Sequence, residues 1–187
     1  MRSRLVPIVL TCAVALSACG GSDDGPDKAR APTATTQTTP RGTDPHRALG
    51  LPSDVPLEAT GTANPAQAKV IRTWADALRG GDVTGASAQW GVPAKTTNAA
   101  PLVVLRDDAD VRAFNDALPC GAKVTSTRGA PRDFTIVTFQ LTDRPGGDCG
   151  SGAGNSARTA IRVRAGKIVE WYRLPDADGT TGDDSSV

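Results

Sequence analysis

Ile161-Arg-Val-Arg-Ala-Gly-Lys-Ile-Val-Glu-Trp-Tyr172 decides the architecture, because it reads as two short strands joined by the two-residue turn Ala165-Gly166. With that turn, Arg164 faces Lys167, Val163 faces Ile168 and Ile161 faces Glu170. Side chains alternate along a strand. One face is therefore expected to carry Ile161, Val163, Ile168, Glu170, Tyr172 and Leu174, and the other Arg158, Arg162, Arg164, Lys167, Val169, Trp171 and Arg173. The first is the natural core face, so Glu170 is expected among apolar neighbours, where a carboxyl holds its proton more tightly unless it is paired.

Working outward, Phe134-Thr-Ile-Val-Thr-Phe-Gln-Leu141 has the strongest strand composition in the chain, and Ala122 to Thr127 alternates before a turn at residues 128 to 132. A glycine-rich loop from Asp143 to Asn155 leads into the strand Ala157 to Arg164. The segment ahead of these strands is helical. Pro65 suits a first helical turn, Val70, Ile71, Trp74, Ala77 and Leu78 recur at helical spacing, and Gly80-Gly81 stops the run. Asp82 caps a second helix carrying Val83, Ala86 and Trp90, which ends at Gly91-Val92-Pro93. Ala94 to Pro101 is expected to be a loop, and Leu102 to Leu105 a brief strand. Asp107 or Asp108 opens a third helix with Val111, Phe114 and Leu118 on one face. Helices followed by an antiparallel meander define an α+β domain with the helices on one sheet face.

The aromatic residues mark the domain's limits. Trp74, Trp90, Phe114, Phe134, Phe139, Trp171 and Tyr172 are all of them, and they fall between residues 65 and 175. That span is near the modal size for one hydrophobic core. Residues 20 to 64 are rich in Gly, Pro, Thr, Asp and Ala, a composition that does not offset its ordering entropy, and are expected to form a disordered tether with an end-to-end distance of roughly 35 to 40 Å. The acidic stretch 176 to 187 is expected to be a disordered tail on the same grounds.

At the other end, Arg2 and Arg4 precede an apolar run from Leu5 to Leu16, too short to span ~30 Å of hydrocarbon as a helix. Leu16-Ser-Ala-Cys19 then follows. This resembles a bacterial lipoprotein signal, which implies removal of residues 1 to 18 and acylation of Cys19 with palmitate-type chains. Two or three chains anchor a protein stably, at ~0.8 kcal/mol per buried methylene. The expected address is the extracytoplasmic side of the cell membrane. Removing Arg2 and Arg4 with the leader leaves 19 basic against 20 acidic side chains, so there is no field to recruit nucleic acid.

Cys12 leaves with the leader and Cys19 carries the lipid, so Cys120 and Cys149 are the remaining thiols in an oxidising setting and are expected to form a disulfide. They do not form a zinc site, because histidine is missing beside them, and they are not spaced as a redox Cys-x-x-Cys pair. No metal or cofactor is expected. The loop from Pro145 to Asn155 lacks the Gly-Lys-Ser/Thr ending of a phosphate cradle.

Trp74-Ala-Asp-Ala-Leu-Arg-Gly-Gly-Asp82, with the alanine-rich helix after it, resembles the first two helices of the nuclear-transport-factor-2-like (SnoaL-like) superfamily. Residues 161 to 172 are similar to its last two strands. The resemblance implies a cone-shaped α+β fold, a curved antiparallel sheet wrapped round helices with a pocket inside, in a superfamily that includes isomerases and dehydratases. The His–Asp couple of its dehydratases is missing, since His46 is the chain's one histidine and falls in the expected tether. The acid of its isomerases is also missing, since Trp90 to Lys95 contains no carboxylate.

Trp74, Asp76, Phe134, Glu170 and Tyr172 are the residues expected to line the pocket, with no catalytic assignment. Either Glu170, Tyr172 and Asp76 form a polar constellation there, or Glu170 is a structural ion-pair partner of an arginine such as Arg72, which is the commoner arrangement. Arg158, Arg162, Arg164 and Arg173 with Trp171 either hold an anionic partner or are a solvated strand face, again the commoner case. Three functions remain open. One is a non-catalytic module binding a small apolar ligand or a cell-envelope partner. The second is an isomerase or cyclase using the pocket acids, and the third is a structural envelope domain, dimeric through its sheet face.

Overall fold

The computed structural model describes residues 44–98 and 101–176. The expected lipoprotein leader, Cys19, residues 20–43 of the expected tether and the expected tail from residue 177 lie outside the described residues. A short helix α1 (Pro45–Ala48) and strand β1 (Gly61–Thr62) precede helices α2 (Pro65–Arg79) and α3 (Val83–Ser87). Strands β2 (Trp90–Thr97) and β3 (Val103–Leu105), helix α4 (Asp108–Ala117) and strands β4 (Gly121–Ala130), β5 (Phe134–Thr142), β6 (Ser156–Arg164) and β7 (Lys167–Leu174) follow. The seven strands form one curved, unclosed sheet in the order β1-β4-β5-β6-β7-β2-β3, antiparallel except where β2 runs parallel to β7. This is the expected α+β arrangement, helices on one face of a curved sheet.

The local chemistry of the helices is the one their sequence dictates. Asn64 accepts a hydrogen bond from Ala66 N at 2.9 Å with Pro65 behind it, and α2 buries Ala68, Ile71, Trp74, Ala75 and Leu78 along one stripe. Gly81 ends the run in the left-handed region, φ +80°, where a Cβ would also meet Pro145 at 2.8 Å. Asp82 then caps α3, and Asp107 caps α4. Helix α3 is shorter than expected. Trp90 starts β2 instead of ending a helix, and the expected loop from Ala94 is strand through Thr97. Gly91 and Pro93 mask the strand in the sequence, and pairing of Lys95, Thr96 and Thr97 with Glu170, Trp171 and Tyr172 overrides that local preference.

The hairpin turns where expected, with Arg164 opposite Lys167 and Val163 opposite Ile168. One residue further the ladder shifts, so that Arg162 faces Glu170, Ile161 faces Trp171 and Ala160 faces Tyr172. The extra residue in β7 is a bulge, and a bulge exchanges the faces of everything beyond it. Trp171 therefore joins the helix-side core, while Glu170, Tyr172 and Leu174 leave it, correcting the expected face assignment.

Both faces of the sheet are covered. On the helix side, Trp74 meets Trp90, Phe139 and Trp171 edge-on at centroid distances of 6.3, 6.0 and 6.4 Å, and Phe114 bridges Trp90 and Trp171. Such pairs contribute about 0.5–1.5 kcal/mol each beyond area burial. On the other side, Phe134, Ile136, Ala160, Tyr172 and Leu174 are covered by Leu51 and Val55, with Leu49, Leu57 and Ala59 around them.

This cover, a strap of residues 44–60, corrects the expected tether boundary at 64. Val55 is 1% exposed and Leu51 6%. His46, placed in the tether by the sequence reading, hydrogen-bonds through its ring Nε2 to Val55 O at 2.8 Å, and Arg158 donates to Leu57 O at 3.1 Å. Thr60 N donates to Gly129 O at 2.8 Å, where β1 joins the sheet edge. Prolines and glycines deprive the strap of any periodicity. What orders it is the apolar surface beneath, each large side chain gaining about 1.5–3 kcal/mol on burial. The sheet face opposite the helices thus packs against Leu49, Leu51, Val55, Leu57 and Ala59.

Candidate functional site

The disulfide between Cys120 and Cys149 ties the exit of α4 to the glycine-rich loop, with the two Cα atoms 4.5 Å apart. Arg144, 5% exposed, lies in the same corner and donates to Leu118 O at 2.9 Å and Asp116 O at 2.7 Å. It satisfies carbonyls that the end of a helix leaves without partners. Together these fix the last turn of α4 and the start of β4 against the sheet.

Between that corner, α2 and the sheet lies a cavity of about 140 Å³. Trp74 and Leu78 from α2 form one wall, and Phe139, Leu141, Ala157 and Trp171 from the sheet form another. Leu118, Pro119, Cys120 and Ala122 close the end near the disulfide. Its polar lining is Asn98, Thr159 and Arg173, and Arg173 is the one ionisable side chain among the lining residues. That guanidinium also contacts the Asp176 carboxylate, from 3.1 Å.

Of the residues expected to line a pocket, the cavity contains Trp74 alone. Asp76 is exposed on α2 and accepts from Arg79 at 2.9 Å. Phe134, Glu170 and Tyr172 lie together on the strap side. There Arg162 pairs with Glu170, the Tyr172 hydroxyl donates to Glu170 Oε2 at 3.0 Å, and the Arg162 guanidinium sits 4.7 Å from the Phe134 ring centre. Glu170 is thus the structural ion-pair partner of an arginine, with Arg162 in the place proposed for Arg72. Burial, reinforced by the Asp54 charge and opposed by Arg162, pushes the Tyr172 hydroxyl up to about 12.

The arginine face is likewise divided. Arg158 pairs with Glu58, Arg164 with Asp133 and Arg173 with Asp176, and Trp171 is buried on the opposite face from Arg158 and Arg162. The expected combination of these arginines with Trp171 on one anion-binding surface does not form. Among the described residues, no cluster of three His, Cys, Asp or Glu side chains has the arrangement of a metal site, and no helix is long and apolar enough to cross a membrane.

The sequence reading missed Thr159, Leu118 and Arg173 as cavity residues. Thr159 had a signal, since it alternates with Ala157 and Ile161, both of which face the helices.

The domain has helices over one face of a curved sheet with a cavity between them. No family model matches the chain, and no curated protein matches it. Among solved structures, the chain is similar to a candidate polyketide cyclase from Sinorhizobium meliloti, at 12% identity and a TM-score of 0.46 over 57% of this chain and 94% of that one. It is also similar to a candidate ketosteroid isomerase from Kribbella flavida, at 18% identity and 0.46 over 62% and 82%. An NTF2-like protein of unknown function from Cytophaga hutchinsonii is similar at 8% identity and 0.47, over 59% and 89%. At these values the likeness lies in chain course and carries nothing about activity.

Proposed function

We propose that this chain is an extracytoplasmic lipoprotein, anchored through Cys19, whose domain binds a small, largely apolar ligand in the helix-side cavity without catalysing a reaction on it. The observation that carries the reading is the cavity wall. It is apolar over most of its extent, and among the described residues that line it Arg173 is the one ionisable side chain and there is no acid–base couple. The carboxylates that an isomerase or cyclase reading would use, Asp76 and Glu170, are on the solvent side of α2 and beneath the strap respectively. The Cys120–Cys149 bond suits an oxidising compartment, in keeping with the lipobox at residues 16 to 19.

Native mass spectrometry of the mature chain isolated from its host tests the reading. A non-covalent small-molecule adduct is expected, and it is lost in Ala157→Leu, which fills the cavity. A Cys19→Ser chain is expected to lose its fatty-acyl mass and its membrane retention. A second reading, a domain that contacts an envelope partner, is favoured by the exposed apolar residues Leu102, Val103 and Val104 on the edge strand β3 and the segment before it. Charged substitutions there are expected to abolish partner capture while leaving the adduct in place.

A further inference from the structure

Among the described residues, the cavity wall carries a single charge, on Arg173, and the contacts of that charge leave it open to exchange. Arg173 lies opposite Thr159 in the β6–β7 ladder and two residues beyond Trp171, so the three are on the helix side of the sheet, and all three line the cavity. The Arg173 side chain is 25% exposed, which places it where the cavity wall meets solvent. Its Nη1 donates to Leu174 O at 2.8 Å and to Arg158 O at 2.9 Å, two main-chain oxygens that hold the guanidinium in position. Its Nη2 donates only to the Asp176 carboxylate, at 3.1 Å to each oxygen, and Nε takes part in none of these bonds.

Asp176 holds that position weakly. It follows the last strand, three residues from Arg173, its side chain is 42% exposed, and ion pairs this open to water contribute little. A guanidinium matches a planar acceptor with two oxygens, which it meets through parallel N–H donors. The carboxylate of a ligand supplies the same acceptor as Asp176 and adds an apolar body, which Asp176 lacks, to a wall formed by Trp74, Leu78, Leu118, Phe139 and Trp171. Among the described lining residues there is no carboxylate to repel it. The volume bounds the body, since an apolar cavity of about 150 Å³ holds benzene.

We infer that the ligand is a small monocarboxylate, with an apolar body of roughly six heavy atoms in the cavity and its carboxylate on Arg173 in the place that Asp176 occupies. This rests on the ligand-binding reading above and adds to it the chemical class of the ligand, the residue that selects it and the side chain that competes with it. Arg173 is then a binding residue and performs no reaction.

The test uses benzoate and nitrobenzene, which share a shape and differ in charge. Each is titrated into the mature Cys19→Ser chain labelled with 15N-tryptophan, and binding is read from the indole signals of Trp74 and Trp171. Benzoate is expected to bind about tenfold more tightly than nitrobenzene, the net worth of a hydrogen bond to a charged group. Asp176→Asn, at an exposed position, is expected to tighten benzoate roughly two- to fivefold, the worth of an exposed ion pair, and to leave nitrobenzene unchanged. Arg173→Gln is expected to remove the preference for benzoate. If the two probes bind equally and Asp176→Asn changes neither, or if benzoate binds Ala157→Leu as tightly as the native cavity, the carboxylate inference is overturned while the ligand-binding reading stands. If neither probe binds, the inference is overturned, and the ligand-binding reading falls with it where native mass spectrometry also finds no adduct.

Discussion

On the strap side of the sheet, the buried polar groups complete one another, with Arg162 on Glu170, Tyr172 on Glu170, and Arg158 on Leu57 and Glu58. On the helix side, a cavity of about 140 Å³ with a largely apolar lining is left between α2 and the sheet. The two surfaces belong to the same strands and are composed of similar residues, so composition does not separate structure from site. Packing does. A satisfied network fixes the packing of a core, whereas an apolar cavity left between packed elements retains its capacity to take up a small molecule.

The largest effect that would disturb this comparison is at the corner closing the cavity. Replacing Cys120 and Cys149 together by serine is expected to cost roughly 3 to 4 kcal/mol in the loop-entropy account, measurable by urea denaturation. Because Cys120 also lines one end of the cavity, ligand binding should fall with it. Next is Glu170→Ala, which strands Arg162 beneath the strap. Loss of one partner in a buried pair costs about 3–5 kcal/mol, and the partial exposure of Arg162 reduces the expectation to about 2–3 kcal/mol. Cavity binding should be retained in that variant, which sharpens the distinction between the two faces.

Tyr172 supplies a pH test of the strap side. Its hydroxyl titrates near 10 when unfolded and about 12 when folded, so the folded state holds the proton more tightly. The stabilisation is fully present below pH 10 and is lost as pH rises towards 12, by at most about 2 to 3 kcal/mol at 1.36 kcal/mol per unit. Denaturation midpoints followed from pH 9 to 12 should fall more steeply in the native chain than in Tyr172→Phe. The smallest effect is Thr159→Val, expected within about 1 kcal/mol of the native stability, since an unpaired hydroxyl gives way to a methyl of the same shape.

Several of these distinctions were legible in the sequence, and the reasons for the rest are physical. Ala165-Gly166 announced its turn, the caps at Asn64, Asp82 and Asp107 sit where helix starts were expected, and Cys120 and Cys149 were paired by elimination. The faces of β7 were not legible beyond Ile168, because a one-residue bulge leaves no mark in an alternating pattern and yet sends Glu170 and Tyr172 to one side and Trp171 to the other. Hence Glu170 and Tyr172, expected in the pocket, lie on the other side of the sheet from the cavity. The strap was hidden for a different reason. Leu51 and Val55 stand among prolines without a period, and their order comes from the apolar face formed by Phe134, Ile136 and Tyr172, which is assembled only by long-range pairing. Phe134 and Ile136 on one side and Val137 and Phe139 on the other were the available hint, since a strand apolar on both sides must be covered on both.

The most direct test is native mass spectrometry of the mature chain isolated from its host, with Ala157→Leu and Glu170→Ala prepared alongside. The account predicts a small-molecule adduct on the native protein and on Glu170→Ala, absent from Ala157→Leu. An adduct that survives Ala157→Leu and disappears in Glu170→Ala would place the site beneath the strap and contradict it.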